Sequence, residues 1–394
     1  MAVTVRALEA IRDVPREAWD ALHGETDSPF VEWEWLDALE STGCAVPERG
    51  WIPRHLVMER DGLLVAAMPA YIKTNSEGEF VFDHQWAGLA SRLGLDYYPK
   101  LIAAAPFTPA TGARILTAPG ESVVACASMM NEAAHDLATK LDLSSIHVLF
   151  PHEAHAYAFE SAGLALRLGV QFHWHNEGYS DFESFLRRFP SKRRTAIRRE
   201  RAQLERDGDR IETVRGDAIT QDLVSPMFAF YKSTVEKFSW GRQYLRRAFF
   251  TRIVERFRHR LEWVIARDRA GEPIAGAFNL RRGPTTYGRY WGARIERKFL
   301  HFHVCFYHGI DDAIRHGVQT FEPGAGGEHK RSRGFEPTIT YSAHTLLDTR
   351  MDRIVREFLA REAPAVRAWV ADERAQSPLR NEPAGEVPGG AQEE

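Results

Sequence analysis

Apolar positions along the chain alternate with polar ones in short runs, and these runs recur in a similar order in the two halves. "VTVRAL" at 3–8 predicts a strand. "SPFVEWEWLDALE" predicts a helix with Ser28 at its N-cap and Pro29 at its first position. "PRHLVMERDGLLVAAMPAYIK" then places two apolar runs around Asp61-Gly62, a strong hairpin signal. "EFVFDHQWA" predicts a third strand, "SVVACASMMNEAAHDLATKL" a helix, and "SSIHVLF" a buried strand. The second half repeats this order. "RLEWVIARDRAGEPIAGAFNLRR" predicts a hairpin, "TTYGRYWGAR" a third strand, "FHVCFYHGIDDAIRHG" a helix closed by Gly317, and "VQTFEP" a strand. A hairpin, strand, helix and strand occurring twice predict duplication of a mixed α/β domain; two unrelated α/β domains of common layout are the alternative.

Length and composition are compatible with that duplication. The chain has 394 residues, with 44% hydrophobic and 27% charged residues, ordinary values for a globular protein large enough for two cores. The expected organisation is a first domain over 1–170 and a second over 171–373, with a basic helix at 187–206 and a disordered tail at 374–394. No run of eighteen apolar residues and no leader pattern at the N-terminus is present, so neither a membrane span nor a secreted precursor is expected. Three distant cysteines, Cys44, Cys126 and Cys305, fit a reducing, cytoplasmic setting. The net charge of −3 gives no global attraction to nucleic acid.

Local charge is another matter. "FLRRFPSKRRTAIRRERAQLERDGDR" concentrates arginine, and Arg194, Arg198 and Arg201 share one face at helical spacing. Such a face suits phosphate, because guanidinium offers forked donors and stays charged. A solvated face paired with Glu200 and Glu205 is the competing reading. His301, Cys305 and His308 also fall on one helical face; core packing explains them better than a metal site, and none is expected. G-x-S-x-G, P-loop and G-x-G-x-x-G patterns are absent. "QWAGLA" at 85–90 has the Q-x-x-G-x-A form of a pyrophosphate loop at a helix start, a weak signal.

Two segments carry the densest chemistry. In "DYYPKLIAAAPFTPATGARIL", Tyr97, Tyr98, Lys100, Phe107, Thr108, Thr111 and Arg114 lie between prolines that stiffen the backbone. This suits a preformed substrate wall or a stiff linker over the core. In "EPGAGGEHKRSRGFEP", three glutamates, a histidine, a lysine and two arginines crowd four glycines directly after a predicted strand.

The run "YWGARIERKFLHFHVCFYHGIDDAIRHGVQTFEPGAGGEHKRSRGFEPTITYSAH", with "YYPKL" and "PFTPATG", resembles the FemAB-like, peptidoglycan biosynthesis/recognition branch of the GNAT acyltransferase superfamily. The resemblance covers most of residues 3–370. It implies an α/β (α+β mixed) fold of two tandem GNAT-like domains, each a mixed, mostly antiparallel sheet flanked by helices. It also implies a cytoplasmic acyl- or aminoacyl-transferase, since Fem ligases move an amino acid from charged tRNA onto an amine of a cell-wall precursor. In this chain Lys330 stands four residues before Gly334, where the Fem element has two, and Ser332 occupies that place.

With that resemblance, amine acylation assigns Lys330 and Arg333 to the developing negative charge and Glu328 or His329 to the proton. Gly324, Gly326 and Gly327 let the backbone approach the donor. Glu322 orients the acceptor amine, and Trp291 and Phe335 extend the substrate wall. No permanently bound cofactor is expected; aminoacyl-tRNA or acetyl-CoA serves as co-substrate. The acceptor is an amine-bearing small molecule or peptide, and tRNA is a possible partner through the arginine face. A non-catalytic module binding a peptidoglycan peptide or an anionic ligand in the same cleft is the alternative.

Overall fold

In the computed structural model, residues 3–380 are described except 82, 238–241 and 327; residues 381–394, most of the expected disordered tail, lie outside. The strands are β1 (Val3–Leu8), β2 (Trp51–Pro53), β3 (His55–Arg60), β4 (Leu63–Met68), β5 (Ala70–Lys73), β6 (Lys100–Ala103), β7 (Leu116–Thr117), β8 (Ser145–Leu149) and β9 (Ala165–His175). They continue as β10 (Arg210–Arg215), β11 (Leu261–Arg267), β12 (Pro273–Arg282), β13 (Thr285–Ala293), β14 (Thr320–Glu322) and β15 (Glu336–Leu346). The helices are α1 (Arg16–Asp20), α2 (Trp33–Ser41), α3 (His84–Arg92), α4 (Val123–Lys140), α5 (Glu153–Ser161) and α6 (Phe182–Arg187). After them come α7 (Ser191–Asp207), α8 (Val224–Val235), α9 (Arg247–Arg256), α10 (Leu300–Phe302), α11 (His308–Arg315) and α12 (Thr349–Ala375).

A small antiparallel sheet has the order β1-β3-β4-β7. A second sheet runs through both halves in the order β10-β11-β12-β13-β14-β9-β15-β8-β6-β5-β2. Its continuity rests on an exchange: β15, late in the chain, inserts between β8 and β9 of the first half. Strand β9 crosses the expected 170/171 boundary, pairing with β15 over residues 165–173 and with β14 at Trp174 and His175. The largest apolar cluster draws on both halves as well, with Trp35 of α2 packed edge-on against Phe249 of α9. None of the helices among the described residues is long and apolar enough to cross a membrane.

Both hairpins form as expected, with Asp61 and Gly62 at positive φ in the first. Three elements differ. The third strand expected at "EFVFDHQWA" is instead a loop and α3, because Trp86 and Ala90 bury one helical face four residues apart. The partner of β5 is β6, inside the segment expected to be a substrate wall. "QWAGLA" consequently lies inside α3, where Trp86 and Ala87 already donate to the Asp83 carbonyl, and forms no pyrophosphate loop. The helix expected from Ser28 breaks at Glu32, which is extended between a 3-10 turn and α2. Its carboxylate is bound by Arg260 and Arg282 of the second half. The helix after β13 contains a π turn at His303–Tyr307, a local widening common at functional sites. At the C-terminal end, α12 continues through Ala375, and the Arg380 amide bonds the Arg188 carbonyl at 2.7 Å.

Candidate active site

Strands β13 and β14 pair in parallel only over Thr285–Tyr287 and Thr320–Glu322, and then part. Just beyond, the register of β12 and β13 shifts so that Arg289 faces no partner, a β-bulge. The bulge turns Arg289 into the protein, where it is sealed from solvent. Its guanidinium donates to the carbonyls of Gly288 at 2.7 Å and Glu322 at 3.1 Å, and Nη2 lies 3.3 Å from Glu322 Oε2. Burial pushes the Glu322 carboxyl up and the Arg289 guanidinium down from their ordinary values, against their mutual attraction. Glu322 also accepts from the Thr111 amide at 3.3 Å, so this carboxylate fastens the two halves together. It is committed to these partners rather than presented to an acceptor.

The parting strands open a cavity of about 430 Å³ lined by Asn279, Gly288–Trp291, His301, Cys305, Phe306, Pro323, Ala325, Gly326, His329 and Lys330. The glycine-rich loop forms one wall. Gly324 and Gly326 have φ of +86° and +72°, and a Cβ on Gly324 would stand 3.2 Å from the Gly288 carbonyl oxygen. A 3-10 turn at Glu328–Arg333 brings Lys330 back under this loop. Its Nζ donates to the carbonyls of Gly324 at 2.5 Å and Ala325 at 3.2 Å, and among the described residues its third N–H has no acceptor. Burial, reinforced by Arg289, lowers its pKa to about 8. His329 is exposed, with its ring 5.6 Å from that of His301. Burial, then Arg333 and Lys330, hold His329 below the usual histidine range. His301, stacked 4.2 Å from Trp291, is lowered to about 4 by burial and by His329.

A second cavity of about 370 Å³ lies between the halves, against Phe80, Pro109, Phe150 and the strands β9 and β15. Ala325 and Gly326 line both cavities. The wall between them is stitched by Tyr290 Oη to the Phe107 carbonyl at 2.8 Å and Gln171 Nε2 to the Pro109 carbonyl at 2.8 Å.

The sequence-predicted residues divide accordingly. His329, Lys330, Trp291 and Gly326 line the first cavity, with Gly324 in the loop that walls it, while Gly327 is outside the described residues and Glu328 lies in the 3-10 turn. Phe107, Thr108 and Arg114 form the buried seam behind it, with Thr111 partly exposed beside them. Tyr97, Tyr98 and Lys100 do not reach the cleft. Tyr97 Oη is 2.6 Å from Asp83 Oδ2, and Lys100 Nζ is 2.8 Å from Glu79 and 2.5 Å from Asp83, inside the first half. Tyr98 packs against Tyr97.

Arg333 is buried too, but against α7: it stacks on Phe302 at 3.3 Å and bonds Glu200 at 3.2 Å, away from the cavity. Phe335 packs on Phe306 and Phe321 below the loop. Of the arginine face, Arg194 bonds the Phe189 carbonyl, Arg201 pairs with Asp311, and Arg198 pairs with Glu183 in solvent. The π turn separates His301 and Cys305, on the cavity, from His308, whose Nε2 bonds Thr213 Oγ1 at 2.8 Å. Sequence reasoning missed the cavity-lining Asn279, Arg289 and Tyr290; Arg289 and Tyr290 stand beside Trp291 in "YGRYWGA", whereas Asn279 reaches the cavity only through the pairing of β12 with Gly288 of β13.

A family model described as peptidoglycan biosynthesis/recognition, FemAB-like, matches residues 10–381. No curated protein sequence matches the chain significantly. Among solved structures, FemX aligns with a TM-score of 0.54 at 12% identity, over 90% of this chain and 100% of that one. The C-terminal domain of a putative lysylphosphatidylglycerol synthetase from Agrobacterium fabrum aligns with 0.51 at 12% identity, over 87% and 94%. A tandem GNAT protein from the clavulanic acid biosynthesis pathway aligns with 0.46 at 14% identity, over 88% and 98%. The fold is mixed α/β with mixed, mostly antiparallel sheets flanked by helices, and the chain belongs to the FemAB-like family.

Proposed function

We propose that this protein is an N-acyltransferase that moves an acyl or aminoacyl group from a carrier in the β13/β14 cavity onto an amine presented from the cavity between the halves. The observation that supports it is that both cavities share the Ala325–Gly326 wall, beneath which Lys330 is anchored. Family membership supports the same class of reaction.

In this reading the neutral amine attacks the acyl carbonyl carbon at the shared wall. The C–N bond forms as charge builds on the carbonyl oxygen, and the free N–H of the Lys330 ammonium stabilises that charge. His329, neutral because its environment disfavours imidazolium, takes the proton lost by the amine. Collapse breaks the bond to the carrier, a thioester C–S or a tRNA ester C–O, and His329 returns the proton to the departing thiolate or alkoxide. Arg333 acts as a positioning residue, since it holds the His329 carbonyl at 2.9 Å.

Thermal melting with acetyl-CoA, and separately with aminoacylated tRNA, identifies the carrier. Ligand at about a hundred times its Kd stabilises by roughly 2.7 kcal/mol. The stabilising carrier is then incubated with a panel of primary amines and the products are read by mass spectrometry. An amide product that disappears in Lys330→Ala is the expected result. Saturable carrier binding with no product from any amine would leave a binding module and overturn the transferase reading.

A further inference from the structure

The open cavity between β13 and β14 also fixes the charge of what it can hold. Arg289 and Lys330 line it, and none of the other described side chains on its wall is acidic. The carboxylate beside it, Glu322, is buried and committed: Arg289 Nη2 and the Thr111 amide each reach its Oε2 at 3.3 Å. That pair cancels one charge and leaves Lys330 with two carbonyls and no counter-ion among the described side chains. His301 and His329 are held neutral, by burial first and by nearby positive charge after it. Donors outnumber acceptors on this wall. Among the described residues Arg289 Nε is buried with no partner and the third N–H of Lys330 has no acceptor, and Asn279 adds a side-chain amide.

A positively charged end, such as the α-ammonium of an aminoacyl ester, would enter this space desolvated and without a free carboxylate to meet it. The cavity already exerts that penalty on its own lysine, whose pKa burial and Arg289 lower to about 8. A carboxylate has the opposite balance. It supplies the missing counter-ion and accepts from donors whose burial without a partner is costly. The position of the charge decides which part of a substrate it meets. The Arg289 side chain is only 3% exposed and stands beside the point where the strands part. Its charge therefore lies at the closed end of the gap, away from the mouth where a carrier's phosphates stay.

We propose that the transferred group is an acyl chain ending in a carboxylate, the half-thioester or half-ester of a dicarboxylic acid, whose anionic end is held by Arg289 and Asn279 in the field of Lys330. The transfer step rests on the reading above; the charge preference of the cavity does not. The C–N bond forms and the carrier bond breaks at the other end of the chain, so the product is an amide that keeps a free carboxylate. Arg289 and Asn279 are then the specificity-determining residues for the acyl group.

The test is a charge series of short thioesters that carry no phosphate: succinyl, butyryl and β-alanyl N-acetylcysteamine, titrated into the full chain and read by NMR. The wild type is expected to bind the succinyl thioester at least about tenfold more tightly than the butyryl one, with the β-alanyl thioester weakest. Asn279→Asp, which exchanges a donor for a carboxylate at nearly constant volume, is expected to reverse the order and place β-alanyl first. Lys330→Ala is expected to narrow the gap between succinyl and butyryl. Equal affinities in the wild type, a β-alanyl thioester that binds most tightly, or failure of all three to bind overturns the proposal. The wild-type order decides even where Asn279→Asp does not fold, and an unchanged order in a folded Asn279→Asp also overturns it. Amide formation from an acetyl or aminoacyl carrier alongside any of these failures leaves the transferase reading standing. The expected order without amide from any carrier does the reverse.

Discussion

Strands β6 and β8 in the first half and β13 and β14 in the second are each paired in parallel over three residues before the chains part. Beyond β6 the chain folds back, and Gly112 pairs with the segment after β8 through its amide to the Phe150 carbonyl and its carbonyl to the His152 amide. Arg114 completes the closure. Its fully buried guanidinium donates to the carbonyls of Leu149 at 2.6 Å, Ala113 at 3.0 Å and Ala110 at 2.6 Å. Beyond β14 the glycine-rich loop swings away instead, and the space stays open with Lys330 and His329 on its wall. The same topological feature is thus a sealed joint in one half and an open cavity in the other. A parting strand pair becomes a site only when the following segment leaves polar groups facing the gap.

The largest expected effect comes from removing the charged group on the open side. Lys330→Ala should lower kcat/KM for transfer by about 10²–10³, the usual cost of one electrostatic contact to a developing oxyanion. The fold should survive, because the side chain gives only two bonds to loop carbonyls. Wild-type rates in this variant would move the chemistry out of the second half and end the contrast.

The mirror-image experiment is Arg114→Met on the sealed side. Three carbonyls lose their donor inside the core, and leaving buried acceptors unpaired costs about 1–3 kcal/mol each before relaxation, so a loss of roughly 2–4 kcal/mol in stability is expected. Carrier affinity of the folded protein should be unchanged. A variant with wild-type melting but no carrier binding would mean that the sealed joint is itself a binding element.

The pH dependence sharpens the same contrast. The Lys330 ammonium has its pKa lowered from 10.5 to about 8, so it is charged below about pH 8 and neutral above. If the rate requires the ammonium, activity falls as the pH rises through about 8. Lys330→Arg keeps its charge and should lose that alkaline limb while retaining part of the rate. The acid limb, from protonation of His329, should lie below the usual histidine range in both proteins. An alkaline limb that stays near 8 in Lys330→Arg would assign it to another group.

Much of this contrast was legible in the sequence, but unevenly. Both hairpins, the helices after them and the polar glycine loop announced themselves through local pattern: Asp61-Gly62, the 3.6-residue period at 123–140, and "GAGGEHK" after a strand. His329 and Lys330, which line the second-half cavity, stand out in the sequence because the polar groups of the loop are written in consecutive residues. The misreading at 79–87 came from the apolar run "FVF", which leads into a helical face carried by Trp86 and Ala90. Lys100 read as part of a substrate wall because sequence cannot show that Glu79 and Asp83 enclose it. The insertion of β15 beside β9, some 170 residues away, and the bulge at Arg289 leave no local trace, since both are set by pairing with distant strands. Arg333 follows Lys330 by three residues, yet it turns to Glu200 because the 3-10 turn and the Phe302 ring direct it there.

The smallest expected effect, and the most direct comparison of the two gaps, is adding the same volume to each. Ala277 lines the open cavity and Ala110 sits in the sealed joint, both almost fully buried. Leucine at 277 has empty space to occupy. It should therefore leave the melting temperature nearly unchanged and raise the KM for the carrier by about tenfold, or about 1.4 kcal/mol, by shortening the cavity. Leucine at 110 has no such space. Overpacking a closed core costs about 1–3 kcal/mol, so Ala110→Leu should melt several degrees lower with an unaltered KM for the carrier. Measuring melting and carrier KM on both variants gives four numbers whose pattern is fixed by which gap is open. Equal destabilisation by both leucines would show that the second-half cavity closes in solution. In that case the chamber would exist only with a carrier bound, and Lys330 would reach its reactive position by induced fit.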